Sequence, residues 1–393
     1  MNSRLSTIER TLKIDLDDHN AAFLWGPRKV GKTTLLRQQF PRAPTFDLLD
    51  SRLRTELTLR PAILREQVSA TRPRLVIVDE IQKVPALLDE VHLLLESTPT
   101  RFILCGSSAR KLRHGAANLL GGRAWRFELF PLTTEEIGVP ETAGAAGEML
   151  VRILNCGLIP QHYLASRPER LLRGYVLDYL AQEIQAEALV RNVPAFARFL
   201  DAVTATHGQL LNYATVARDC GVSPKTVREY YQILDDTLLG FRLPPWRKAR
   251  KRRLIETEKY FLFDVGIVRA LSGMRLMQPG TEEFGRAFEH FLIQEMRAYL
   301  SYRERDLPLS YWRTSTGLEV DLIVGKLELA IEFKASAKVG DGDARGLRAL
   351  AEDQKLGRAV IVCLGDQRRR LGDGIEVWPW QLFCQRLWAG EWI

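Results

Sequence analysis

Phe23-Leu24-Trp25-Gly26-Pro27-Arg28-Lys29-Val30-Gly31-Lys32-Thr33-Thr34-Leu35-Leu36 is the stretch on which the fold turns. From Gly26 to Thr33 it matches GxxxxGK[ST]. An apolar strand precedes the match and the helical run Thr34-Leu35-Leu36-Arg37-Gln38 follows it, the two flanks that a phosphate-binding loop requires. Glycines let backbone N–H groups turn toward phosphates, and the helix N-terminus adds partial positive charge. Gly26, Pro27, Arg28, Lys29, Val30, Gly31, Lys32, Thr33 and Thr34 are therefore the candidate phosphate-binding residues. Lys32 reaches for the β- and γ-phosphates and the Thr33 hydroxyl for Mg²⁺.

Further along the chain, Leu75-Val76-Ile77-Val78-Asp79-Glu80 is an unbroken apolar strand ending in two carboxylates, as expected of a strand buried on both faces. Asp79 is placed to hold the magnesium shell and Glu80 to polarise an attacking water. The next apolar strand, Arg101-Phe102-Ile103-Leu104-Cys105, ends in Gly106-Ser107-Ser108, which brings two hydroxyls, Ser107 and Ser108, to the same sheet edge. Strands are expected at Phe23–Trp25, Thr45–Leu48, Leu75–Val78, Phe102–Cys105 and Trp125–Leu129, alternating with amphipathic helices: a parallel α/β sheet.

In that order GPRKVGKTTLL, VIVDEIQKVP, LCGSSARKL and GGRAWRFELFPLTTEEI resemble an AAA+ ATPase of the bacterial and archaeal family that joins an AAA domain to DUF4143. The resemblance implies ATP and Mg²⁺ as cofactors, with Lys32, Thr33, Asp79 and Glu80 carrying hydrolysis. It nominates Arg123 as a finger reaching into a neighbouring copy's nucleotide site, which implies a homo-oligomer. Arg126 and Arg113 are less well placed for that part.

The chain has 393 residues, 46% apolar and 26% charged, enough for two or three domains with their own cores. The breaker-rich stretch from Pro140 to Gly147 suggests a boundary, giving an ATPase domain over 1–145, a helical lid and winged-helix region over 146–265, and a C-terminal α/β domain over 266–393. Fifty-six Lys and Arg against 48 Asp and Glu leave +8, which favours a polyanionic partner, nucleic acid first. The cysteines Cys105, Cys156, Cys220, Cys363 and Cys384 form no CxxC pair, so neither a disulfide framework nor a zinc knuckle is expected. No apolar run is long enough to span a membrane, and a cytoplasmic location is expected. His92, His114, His162, His207 and His290 do not fall at metal-ligand spacing, and Trp378, Trp380 and Trp388 read as core residues.

The middle of the chain carries helical periodicity as far as Leu239. Tyr213 to Cys220, then Gly221-Val222-Ser223-Pro224, then Lys225 to Leu239 reads as helix, tight turn, helix, with Val227, Tyr231, Leu234 and Leu238 as one buried stripe. Lys225, Thr226 and Arg228 are left outside, within reach of DNA; packing without DNA contact is the other reading of this module. Arg247-Lys248-Ala249-Arg250-Lys251-Arg252-Arg253 holds six cations in seven residues, the pattern of a basic wing tip that phosphates neutralise, or else of a solvated loop.

In the last third the chain reverses at Gly325-Lys326. A two-residue loop pairs Val324 with Leu327, Leu322 with Leu329, and Val320 with Ile331. One face is then apolar, and the other collects Glu319, Asp321, Glu332 and Lys334, with Glu332 opposite Glu319 and diagonal to Asp321. Mg²⁺ or Mn²⁺ would relieve the repulsion between these acids. Asp321, ten residues and then Glu332-Phe333-Lys334 resemble the core of the PD-(D/E)xK nuclease superfamily, which includes Holliday-junction resolvases, although Val320 stands where that pattern has Pro. The resemblance adds Glu289 as a further metal ligand, with Glu295 a weaker choice. Two readings stay open: metal-dependent DNA cleavage or branched-DNA processing, and a nucleotide-dependent signalling switch with a catalytically inactive nuclease-like domain.

Overall fold

The computed structural model describes residues 8–16, 21–108, 120, 124–176, 192–247, 252–274 and 276–393. They fall into two compact units, one built from Glu9–Phe130 with Leu234–Leu239, the other from Pro131–Ile233 with Gly240–Ile393.

The first unit is a parallel sheet covered by helices. In chain order its elements are β1 (Ala21–Trp25), α1 (Lys32–Gln39), β2 (Thr45–Asp47), α2 (Ser51–Leu59), α3 (Ala62–Thr71), β3 (Leu75–Asp79), α4 (Leu87–Ser97), β4 (Arg101–Gly106) and β5 (Ala124–Glu128). The strand order is β2-β3-β4-β1-β5. All five expected strands form, within a residue or two of their expected ends, because unbroken runs such as Val76-Ile77-Val78 are buried on both faces. Helix α4 buries Leu87, Leu88, Val91, Leu94 and Leu95, one face at helical spacing, into the same core as Phe23, Phe102 and Leu104. Fully burying each such side chain contributes about 1.5–3 kcal/mol. The carboxyl ends of β1, β4 and β3 lie side by side, Trp25 level with Gly106 and Asp79 level with Cys105, so the three motifs meet along one edge.

In the second unit the short helix Thr134–Ile137 precedes the helix Ala143–Cys156, whose first turn after the Thr142 N-cap uses the small residues of the Pro140–Gly147 stretch. Helices Val193–Ala205, Tyr213–Cys220 and Pro224–Asp236 follow, the last two joined by a tight turn with Gly221 in the left-handed region at φ 66°. Val227, Tyr231 and Leu234 are buried as expected. The second helix stops at Asp236, however, and Leu238 lies beyond it at φ 58°, outside the helical stripe.

An antiparallel ribbon comes next, β6 (Gly240–Leu243) with β7 (Lys259–Leu262). The described flanks of the loop between them are bonded to the chain beyond it. Trp246 N donates to Tyr311 O at 2.6 Å, Ile255 N to Arg313 O at 2.9 Å and Ser315 N to Arg253 O at 2.9 Å, so both flanks of the basic run are laid along the strand β8 (Leu309–Arg313). That strand is the edge of a six-stranded mixed sheet, and these flanks cover part of its open hydrogen-bonding groups.

The remaining strands are β9 (Glu319–Val324), β10 (Leu329–Lys334), β11 (Arg358–Cys363), β12 (Arg369–Arg370) and β13 (Glu376–Pro379). The hairpin register differs from expectation: Val324 pairs with Leu329 and Leu322 with Ile331, so four residues, Gly325 to Glu328, make the turn. The slip is by two positions, an even number, and every side chain keeps its face. Glu332 is thereby shifted from opposite Glu319 toward Asp321. Ile323 and Ala330 are as fully buried as Leu322 and Ile331, so both faces of this hairpin are covered and the acids gather at one end of it. Trp378, Trp380 and Trp388 are buried, and all five cysteines are buried free thiols. His207 and His290, far apart in sequence, are joined Nε2 to Nδ1 at 3.1 Å, and burial drives both down, His207 to about 3 with the Arg286 charge adding to it. No helix among the described residues is long and apolar enough to cross a membrane.

Candidate functional site

The phosphate loop leaves β1 and enters α1 through Gly31, which caps the helix at φ 100°, a conformation suited to glycine. Lys29 at φ 63° sits in the left-handed region as well. The first-turn amides of α1 have no intrahelical partner and face the loop's interior end-on, the arrangement that binds anions. Lys32 is buried within the loop, its Nζ donating to Gly26 O at 2.7 Å and Pro27 O at 3.1 Å. Its charge is thus held by the dipoles of these two carbonyls. Thr34 points outward and is exposed.

Thr33 and Asp79 meet at the sheet edge, the Thr33 hydroxyl donating to Asp79 Oδ2 at 2.7 Å. A hydroxyl and a carboxylate oxygen this close, beside the loop, suit a magnesium ion, which takes few protein ligands and keeps most of its waters. Asp79 Oδ1 accepts the Glu80 N–H at 3.0 Å, fixing the turn in which Glu80 adopts φ 58°. Glu80 is buried and is held by Gln82, whose Nε2 also donates to Ser107 Oγ at 3.1 Å. Ser107 is therefore joined to the Glu80 carboxylate, while the Ser108 hydroxyl donates to the Asp236 carbonyl at 3.5 Å.

Two residues of this site escaped the sequence reading. Gln82 is one; its signal was a polar residue two places beyond a strand-end carboxylate. Arg10 is the other, a buried guanidinium that donates to Val30 O at 2.6 Å and Phe130 O at 2.7 Å and so braces the phosphate loop from behind. Arg123 and Arg113 lie outside the described residues, and Arg126 is exposed on β5.

In the second unit, Lys225 and Arg228 are exposed at the start of the helix Pro224–Asp236, and Thr226 closes the turn through Ser223 Oγ. The Arg228 guanidinium lies over the Tyr213 ring, 5.0 Å from its centroid. Arg247 and Arg253 are exposed. Arg252 is committed, donating to Ala349 O at 2.7 Å and Glu352 Oε2 at 2.6 Å. Lys248, Arg250 and Lys251 lie outside the described residues.

The acids of the last third do converge. Glu289 from the helix Glu282–Tyr302, Glu319 and Asp321 from β9, and Glu332 and Lys334 from β10 lie close enough to act on one another electrostatically. Lys334 Nζ lies 2.8 Å from Glu332 Oε1, and Asp321 Oδ2 accepts the Phe333 N–H at 2.8 Å. Burial lifts both Asp321 and Glu332, Glu332 to about 7; the Glu332 charge adds to the rise at Asp321, and Lys334 restrains it at Glu332. Sequence reasoning missed Lys259, which enters from β7 to stand 2.9 Å from Glu289 Oε1 and 2.7 Å from Glu319 Oε1. Burial works against its charge, yet Glu289, Glu319 and Asp321 prevail and hold it above the ordinary lysine range. Glu295 is elsewhere, buried and bonded to Thr134 and Trp388.

Residues 18–138 match the family described as AAA domain, residues 147–278 the domain of unknown function DUF8612, and residues 284–383 the domain of unknown function DUF4143. An uncharacterized protein of Mycobacterium tuberculosis, Rv2008c, is 30% identical over 367 residues, covering 91% of this chain and 79% of its own length. An uncharacterized protein of Haemophilus influenzae is 22% identical over 225 residues, covering 54% of this chain and 56% of its own. Among solved structures, a Walker-type ATPase of Pyrococcus abyssi aligns with TM-score 0.44 at 16% identity, over 65% of this chain and 92% of its own.

Proposed function

This chain belongs to the family of AAA-domain ATPases that carry a DUF4143 domain, and from that premise we propose that ATP hydrolysis at the loop Gly26–Thr33 controls its hold on DNA. The observation that carries the reading is the meeting of Thr33 with Asp79 beside the buried Lys32. Lys32 neutralises phosphate charge, Thr33 and Asp79 hold the magnesium shell, and Glu80 orients water, its carboxylate positioned by Gln82 and, through it, by Ser107. Mg²⁺, when bound, supplies charge neutralisation at the phosphate oxygens. Arg123 of a neighbouring copy completes the site in this proposal, so that turnover rises with protein concentration. DNA is met by Lys225, Thr226, Arg228, Arg247 and the rest of the basic run apart from Arg252, through phosphates and without base readout.

The test is ATP turnover by wild type and Lys32→Ala, with DNA binding followed in the same preparations. The reading expects turnover to vanish in the variant while the protein stays folded. Preserved turnover sinks it.

A second reading of the last third, a signalling switch whose nuclease-like domain is catalytically inactive, is supported by the position of Lys259 among the acids.

A further inference from the structure

The acids that would take a divalent ion in the C-terminal domain already have a cation of their own. The Lys259 side chain is 5% exposed, bridges Glu289 and Glu319, and lies over the Tyr311 ring at 5.3 Å from its centroid. Glu319 is held on its other oxygen by Arg313 at 3.0 Å, and Glu332 by Lys334. Four carboxylates thus face three cations drawn from β7, β8 and β10. A divalent ion needs several oxygens converging with free lone pairs. Among the described residues no three His, Cys, Asp or Glu side chains are so placed. An ion brought in between Glu289 and Glu319 would displace an ammonium hydrogen-bonded to both, or stand against its fixed charge in a partly buried site where repulsion is weakly screened.

Resting on the silent-domain reading, we propose that Lys259 is a built-in counter-cation that stands where a divalent metal would, so that this domain takes up no metal and cleaves no phosphodiester. The cluster then has a mechanical task. Lys259 begins β7, directly after the loop that carries the basic run, and the same loop is bonded to β8 through Trp246, Ile255 and Arg253 and to the helix Arg345–Asp353 through Arg252. The acids anchor the end of the basic segment to the mixed sheet and hold it in a fixed place on this unit.

Mn²⁺ titrations of the full chain without nucleotide, read by the electron paramagnetic resonance of free Mn²⁺, test the idea in wild type, Asp321→Asn, Lys259→Met and the double variant. Wild type and Asp321→Asn are expected to bind equally. Lys259→Met is expected to gain one site, at least about tenfold tighter than any binding at the wild-type cluster, and to lose it again in the double variant. An extra Asp321-dependent ion in wild type overturns the proposal, and so does a folded Lys259→Met that gains none. Should Lys259→Met not fold, the comparison of wild type with Asp321→Asn decides alone. Incubation of wild type and Glu332→Ala with duplex and four-way-junction DNA and Mn²⁺ separates the two claims. Cleavage lost in Glu332→Ala ends the silent-domain reading itself, whereas an unresponsive Lys259→Met with no cleavage ends only the part given to Lys259.

Discussion

The Thr33 hydroxyl donates to Asp79 Oδ2 at 2.7 Å, which joins the first turn of α1 to the carboxyl end of β3 across 46 residues of sequence. The two residues act as one device, and their variants should behave so. Thr33→Ala and Asp79→Asn are each expected to lower ATP turnover by about a hundredfold, and the double variant by little more than either, since groups that work as a unit are not additive. Steady-state turnover of the three variants checks this. Losses that multiply would separate the two residues.

Gly157 follows the helix Ala143–Cys156 at φ 72°, and a Cβ placed there would come within 2.0 Å of Asp264 Oδ1. Asp264 caps the helix Val265–Ser272 through Gly266 N and Ile267 N and accepts the Leu158 N–H at 2.7 Å. Gly157→Ala is expected to cost about 3 kcal/mol, combining left-handed strain with a displaced cap. Denaturant unfolding measures it; an unchanged midpoint would refute the reading.

Burial raises the Glu295 carboxyl to about 7, with the donors Thr134 and Trp388 pulling it back and Glu136 pushing it further up. Its unfolded value is that of an ordinary carboxylate, about 4.3, so folding takes up a proton between these two values. The stability it contributes is full below the unfolded value and is lost as pH rises through about 7. The difference in unfolding free energy between wild type and Glu295→Gln is expected to fall by about 4 kcal/mol across that window. Equal pH slopes for the two proteins would contradict it.

Arg252 and Lys225 should part company in DNA binding. Lys225→Ala is expected to weaken binding on every sequence and to reduce the salt slope by about 1, as a phosphate contact does. Arg252 spends its guanidinium on Ala349 O and Glu352, so Arg252→Ala should leave the slope alone and cost about 1 kcal/mol of stability. Affinity measured over a range of salt, beside thermal melts, distinguishes them; a reduced slope in Arg252→Ala would put that residue on DNA.

How far the residues announced this structure depends on how local each feature is. The loop Gly26–Thr33 and the strand Leu75–Asp79 were legible because burial and turn chemistry are written in adjacent positions. The hairpin Glu319–Lys334 was legible in its faces and misread in its register, since a turn of two residues and one of four leave the alternation unchanged. Lys259 was not legible at all. It reaches Glu319 from 60 positions away, and a lysine in an apolar strand carries no mark of its partners. Arg10 and Gln82 escaped because their partners, the Val30 and Phe130 carbonyls and the Ser107 hydroxyl, are distant in sequence. The anchoring of the basic run's flanks was hidden because charge density shows in sequence and backbone bonds to a distant strand do not.

The most direct test of the account is DNA affinity in defined nucleotide states. Glu80→Gln, which is expected to bind ATP and not turn it over, is compared with wild type carrying ADP and with wild type without nucleotide, on one labelled duplex at one salt concentration. Affinities are expected to lie at least about tenfold apart between the ATP state and the other two, a coupling of about 1.4 kcal/mol. Equal affinity in all three states would contradict it, leaving an ATPase whose cycle does not govern its hold on DNA.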